Sequence, residues 1–167
     1  MKNQRGFILI ELIAAIVLTG VIASFATFFL YTGFNGYQKS KDTSEGALEA
    51  QMALDRITLE LRDIEYFTSA PVNNVSLSYK SATLTGTRVL NYDAGNDKIE
   101  ININNTPYTL VEDVSNFNLS VNCLDLDNDG TRDNVSRIDV GFNVGNIGRE
   151  FRTNVFPRNM VYFVCPP

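Results

Sequence analysis

Four short-spaced acidic side chains are the first residues able to do chemistry. Asp125, Asp127 and Asp129 alternate, Gly130 follows, and Asp133 comes three residues later; a lone carboxylate, Glu11, stands far upstream. Alternating carboxylates before a glycine can gather around a hard cation. Without a cation they repel one another. A solvated acidic turn is the plainer account, since Asp and Gly are common in turns. Glu11 is the only charge between Phe7 and Tyr31, where every other residue is apolar or small. A carboxylate in such a run costs several kcal/mol in hydrocarbon unless paired or hydrated, so it marks a function more often than an accident. Cys123 and Cys165 are the only cysteines. An even pair fits one disulfide in an oxidising compartment, and two free thiols fit a reducing one.

The acidic stretch resembles the first half of an EF-hand calcium loop. The resemblance implies carboxylate ligands from Asp125, Asp127 and Asp129, the backbone carbonyl of Thr131, and a direct or water-mediated contact from Asp133, with Gly130 permitting the turn. The departure is at the twelfth position, where Ser136 replaces a bidentate Glu. Asp139 or a backbone carbonyl is the expected substitute. Calcium is the cofactor expected.

The rest of the composition narrows the function class. The 167 residues carry 14 Lys and Arg against 19 Asp and Glu, a formal charge of −5, with no His and no Trp. An acidic chain is a poor candidate for non-specific nucleic-acid binding. Without His the commonest acid/base group and transition-metal ligand are missing. No Gly-rich phosphate loop and no nucleophile beside a base occur, so no catalytic set emerges and an enzyme is not expected.

The elements that position these residues follow in chain order. Residues 7–31 form an apolar run of about 37 Å as a helix, long enough to cross a hydrocarbon core of about 30 Å. Lys2 and Arg5 before it favour a cytoplasmic N-terminus, leaving the rest outside the cytoplasm. An ordinary signal peptide has a shorter apolar region. Lys41 to Phe67 reads as an amphipathic helix with Leu48, Met52, Leu54, Ile57, Leu61 and Ile64 on the apolar face. Glu45, Glu49, Asp55, Arg56, Glu60, Arg62, Asp63 and Glu65 take the other positions, with Arg56–Glu60 an (i, i+4) ion pair. Gly33 and Gly36 predict a flexible or bent joint. Beyond Pro71, strands are expected at Val75–Tyr79, Arg88–Asn91, Lys98–Ile103, Tyr108–Val111, Phe117–Val121, Arg137–Val144 and Arg149–Val155. A hairpin turn is expected at Asp93-Ala94-Gly95-Asn96-Asp97. The fold class is α+β: a long N-terminal helix packed on a C-terminal antiparallel sheet. The expected segments are 1–6, 7–31, 32–69 and 70–167.

Gly6-Phe7-Ile8-Leu9-Ile10-Glu11-Leu12 resembles the cleavage and methylation motif of type IV prepilins. The resemblance implies that residues 1–6 are a leader, removed between Gly6 and Phe7 by a membrane aspartic prepilin peptidase, with N-methylation of Phe7. Glu11 would then neutralise the new amine of a neighbouring subunit inside a fibre. The family often has Thr at Ile8 and, in major pilins, Pro near Phe28; this chain has neither. Residues 53–64, Leu110–Leu119 and Val155-Phe156-Pro157-Arg158-Asn159 are similar to segments of J-type minor pseudopilins and related minor pilins. The resemblance implies a minor subunit at the tip of a type IV pilus or type II secretion pseudopilus, or in its priming. Its partners would be other pilin subunits and the peptidase. It would start as an inner-membrane precursor with an extracytoplasmic head and end in an extracellular pilus or periplasmic pseudopilus. A non-assembling membrane-anchored calcium-binding protein and a major pilin of the shaft are the alternatives. A Cys123–Cys165 disulfide would close a loop of about forty residues and pin the C-terminus.

Overall fold

A computed structural model describes residues 9–69, 75–145 and 147–163. The class is α+β: one long N-terminal helix, apolar in its first half, followed by antiparallel sheets. Helix α1 spans Leu9–Arg62. Chain contacts divide the molecule into residues 1–42 and 43–167.

In the first unit α1 carries no buried residue, and its large side chains are open along the whole length. Its sequence is long and apolar enough to cross a membrane. Four hydroxyls in this stretch donate to carbonyls one turn back: Thr19 to Ala15, Ser24 to Gly20, Thr27 to Ala23 and Thr32 to Phe28, at 2.8–2.9 Å. Each hydroxyl thereby carries its own partner, which apolar surroundings demand. Gly33 and Gly36, expected to loosen the helix, are both helical. The (i, i−4) ladder holds through them because single glycines cost only about 1 kcal/mol each.

The second unit contains α1 from Thr43, then β1 (Ile64–Phe67), β2 (Ser76–Ser81), β3 (Thr87–Asp93), β4 (Lys98–Ile103) and β5 (Thr106–Val111) in one antiparallel sheet of that order. A second antiparallel sheet holds β6 (Val114–Leu124), β7 (Asn134–Val144) and β8 (Glu150–Val155). Within each sheet the strands are paired in sequence order, as in an antiparallel meander. The expected Asp93–Asp97 turn joins β3 to β4, and Asp93 organises it by accepting from Gly95 N at 3.0 Å and Asn96 Nδ2 at 2.7 Å. Those two donors, with Asn96 the larger, hold the Asp93 carboxyl below its ordinary pKa. Asn104 and Asn105, both at positive φ, make the two-residue turn between β4 and β5. That conformation suits the twist of a tight hairpin.

Local expectations are corrected at several points. The amphipathic helix ends at Arg62, and Ile64–Phe67 is β1 rather than its last turn. The Asp63 side chain explains the stop. Its carboxylate accepts from the Ser81 hydroxyl, the Thr83 hydroxyl and the Thr83 amide, while its carbonyl accepts from Ala82 N. Such bonds compete with helix continuation. The strands form two sheets where one was expected. Asp113, at positive φ, redirects the chain between β5 and β6.

The buried helix face differs as well. Ala50, Ala53, Leu54, Ile57, Glu60 and Leu61 are buried, an arc of about 120° at 100° per residue. Leu48 and Met52, expected on the core face, lie on the far side with Leu59 and are exposed. Alanines take the core positions because the helix approaches closely: a Cβ at Gly46 would meet Ile147 Cδ1 at 3.0 Å. The helix residues join Leu77, Tyr79, Leu90 and Ile101 of the first sheet and Leu119, Ile138, Val140 and Phe142 of the second in one apolar core.

Glu60, expected among the solvated charges, is 1% exposed. It accepts from Arg56 Nη2 at 2.5 Å and the Tyr79 hydroxyl at 3.1 Å, and its Oε2 lies 3.0 Å from Arg88 Nε. Arg88 is 4% exposed, and its Nε is too poorly aimed at Glu60 for a directional hydrogen bond. The attraction there is between charges. Burial, then the Glu60 charge, pushes the Tyr79 hydroxyl far above its ordinary pKa.

Candidate functional site

Pairing of Cys123 with Val135 and of Leu124 with Asn134 brings the ends of β6 and β7 together. The acidic stretch is therefore the loop of a long hairpin. Asp125, Asp127 and Asp129 place one carboxylate oxygen each within 4.8 Å of the others, a group that can hold a metal ion. The loop backbone shapes it. Gly130 N donates to Asp125 Oδ2 at 3.0 Å, Asp129 N to Asp127 Oδ1 at 3.4 Å, and Thr131 N to Asp129 Oδ1 at 2.7 Å. Asn128 and Gly130 take positive φ, 60° and 90°, which turn the chain around the carboxylates. Asp125 Oδ1 is shielded from solvent and has no hydrogen-bond partner among the described residues. An orphaned, shielded carboxylate oxygen is costly unless something positive faces it.

The other expected ligands fare differently. Asp133 is outside the three-carboxylate group, and its Oδ1 accepts from Asn134 Nδ2 at 2.7 Å. Thr131 enters the loop's bonding through its amide. Ser136 is turned to the strand pair, donating to the Asn122 carbonyl at 3.0 Å. Asp139 does not replace the missing Glu. It pairs across from Ser120, five residues down β7 from the loop end at Asn134, roughly 16 Å at about 3.3 Å per residue. There it is committed to Arg137, Asn122 and Asn154.

The chain end returns to the base of this loop. Val135 N donates to Val161 O at 2.9 Å, Phe163 N to Asp133 O at 2.6 Å, and Tyr162 bridges to Asn134. Phe67 and Phe163 meet edge to face at 5.3 Å. Cys123 Sγ lies 3.4 Å from the Phe163 carbonyl oxygen. Cys165, like Gly6 and Phe7, lies outside the described residues. Glu11 sits in the first turn of α1, where a negative charge complements the helix dipole.

Sequence reading missed the polar face of β6, β7 and β8. Its signal was present as alternation: Asn118, Ser120, Asn122; Arg137, Asp139, Gly141, Asn143; Glu150, Arg152, Asn154. No protein-family model, curated protein or solved structure matches this chain.

Proposed function

We propose that this chain is a minor pilin or pseudopilin, trimmed after Gly6 by a prepilin peptidase and built by α1 into a type IV pilus or secretion pseudopilus. The observation that carries this reading is Glu11. It is an acidic residue in the first turn of a 54-residue helix whose apolar first half buries nothing within its own chain. Such a helix calls for an apolar environment, first lipid and then neighbouring helices. In either, Glu11 calls for a positive group. The amine created at Phe7 by cleavage supplies it, and a charge pair in low dielectric fixes register more than it adds net stability. Intact-mass measurement of the native protein tests the reading. The expected mass corresponds to a chain starting at a methylated Phe7. A chain starting at Met1, or after Ala26, overturns it.

The loop group of Asp125, Asp127 and Asp129 serves the same subunit as a calcium site. Carboxylate and carbonyl oxygens are hard ligands, and an irregular loop suits Ca²⁺ better than Mg²⁺, which demands a tight octahedron and gives up water reluctantly. Calcium would brace the tip of the hairpin, and a Cys123–Cys165 disulfide would hold the chain end near its base. The loop also favours a second reading, a membrane-anchored calcium-binding protein that does not assemble. It retains residues 1–6, so the mass measurement separates the two.

A further inference from the structure

We propose that the outward face of β6, β7 and β8 is a binding site for a neutral sugar. The face is concave, with a cavity of about 250 Å³. That is room for roughly eight waters at about 30 Å³ each, the scale of a single sugar ring.

Strand pairing sets the grid. Asn118 lies opposite Gly141, and Ser120 opposite Asp139; Arg152 and Asn154 flank the same two β7 residues from the other side. Gly141 is the floor. A Cβ there would meet Glu150 Oε1 at 2.7 Å, so its absence lets the Glu150 carboxylate fold inward over the centre strand. Arg152 Nη2 holds that carboxylate through both oxygens, at 2.8 and 3.1 Å.

Charge decides the ligand class. Arg137 is paired with Asp139 at 2.8 Å, and Arg152 with Glu150 at 2.8 Å. Two cations and two anions cancel across the groove, so neither an anion nor a cation is drawn in. Hydrogen-bonding capacity nevertheless remains. Among the described residues these contacts use only Nε of Arg137 and Nη2 of Arg152, so the other guanidinium N–H groups keep their donor capacity. The Asn118 amide and the Ser120 hydroxyl line the groove and make no side-chain hydrogen bond among the described residues. Asp139 is pre-set by three donors, Arg137, Asn122 and Asn154. A rigid, electrically balanced set of planar donors and acceptors matches vicinal hydroxyls, which both donate and accept. The inference concerns the head alone and does not depend on the assembly reading.

The test is a titration of the full ¹⁵N-labelled chain in phosphocholine micelles, which contain no sugar. The probes are glucose, galactose, mannose and N-acetylglucosamine, with sodium acetate and sodium sulfate at matched ionic strength. At least one sugar is expected to shift the amides of Asn118, Ser120, Gly141 and Arg152 saturably, with neither salt doing so. Asn118→Ala with Ser120→Ala should weaken that binding about tenfold or more, two lost hydrogen bonds' worth, at an unchanged melting temperature. Gly141→Ala would push the far end of the Glu150 side chain aside and should weaken binding by displacing the groove wall. No saturable shift with any of the four sugars overturns the proposal. So does saturation by acetate or sulfate alone, or unchanged sugar affinity in the double variant.

Discussion

Glu11 and Glu60 stand on one helix and meet opposite circumstances. From Leu9 to Asp42 every residue of α1 is exposed, and Glu11 has only apolar neighbours along the sequence. From Ala50 to Leu61 the helix buries a face against two sheets, and Glu60 is enclosed with Arg56, Arg88 and Tyr79. The second region solves its apolar face and its carboxylate within the chain. Among the described residues the first solves neither. A helix that is apolar all round is stable only in lipid or among other helices. The two carboxylates therefore mark where the chain meets its own needs and where, under the proposed pilin reading, a neighbouring subunit would meet them.

The largest effect expected from breaking this contrast is at Glu60. Glu60→Ala leaves Arg88 buried without its counter-charge, and removing one partner of a buried pair costs about 3–5 kcal/mol. Thermal unfolding of the full chain in micelles should show a large loss. Glu60→Leu combined with Arg88→Met should recover most of it, because a buried pair contributes little net stability beyond an apolar replacement. If the double variant melts as low as Glu60→Ala, the network stabilises in its own right and the contrast with Glu11 is misjudged.

Glu11→Ala sharpens the comparison from the other side. It should leave the melting of the head unchanged and lower incorporation into sheared fibres when co-expressed with wild type. Equal incorporation of mutant and wild-type subunits removes Glu11 from assembly. A lowered melting temperature would mean the first region has a partner within the chain after all.

Calcium gives the next effect. A ligand at about a hundred times its dissociation constant stabilises the native state by about 2.7 kcal/mol. The wild-type chain should melt higher in calcium than in chelator, and Asp127→Ala should erase most of that difference. Its calcium-free melting point should be unchanged or slightly higher, since one repelling carboxylate is gone. Identical wild-type curves in calcium and chelator reduce the loop to an acidic turn.

The two regions were legible in the sequence to different degrees. The apolar run fixed the first region because composition alone decides whether a helix can face lipid. In the second region, strands and the Asp93–Asp97 turn followed from period-2 alternation and turn residues, and Lys98–Ile103 was found at its observed bounds. The helix face was misread because Leu48 and Met52 outrank Ala50 and Ala53 in hydrophobicity, while close packing favours small residues. Glu60 was misread because a buried charge depends on Arg88 and Tyr79, at least 19 residues away. The acidic loop was legible as a local pattern. Asp133 lies outside the three-carboxylate group and Asp139 five residues down β7 from the loop end, because a strand register, not spacing, decides which carboxylates lie together.

The smallest effect lies at the junction that ends the helix. The Ser81 hydroxyl first, then the Thr83 hydroxyl and amide, hold the Asp63 carboxyl below its ordinary pKa, with Arg158 adding a favourable charge and partial burial opposing them. A folded-state pKa below the unfolded one means that the unfolded chain binds more protons in the interval between them. The stabilisation is thus complete above the ordinary Asp value of 3.8 and is lost as pH falls through the depressed folded value. Asp93 is lowered as well, chiefly by Asn96. At Asp139 burial pushes upward, but Asn154, Arg137 and Asn122 outweigh it, so its contribution has the same sign. Acid unfolding of the wild type therefore sums several groups, and only a difference isolates Asp63. Asp63→Asn should cost about 1 kcal/mol at neutral pH, the scale of a hydrogen bond to a charged group with part of its acceptor retained. Below the folded pKa the variant and wild type should converge, because the wild-type carboxyl is then neutral too. A constant gap between the two melting curves from neutral pH down into the acid limb would show that Asp63 acts through shape rather than charge, and that the end of α1 is set by β1 pairing alone.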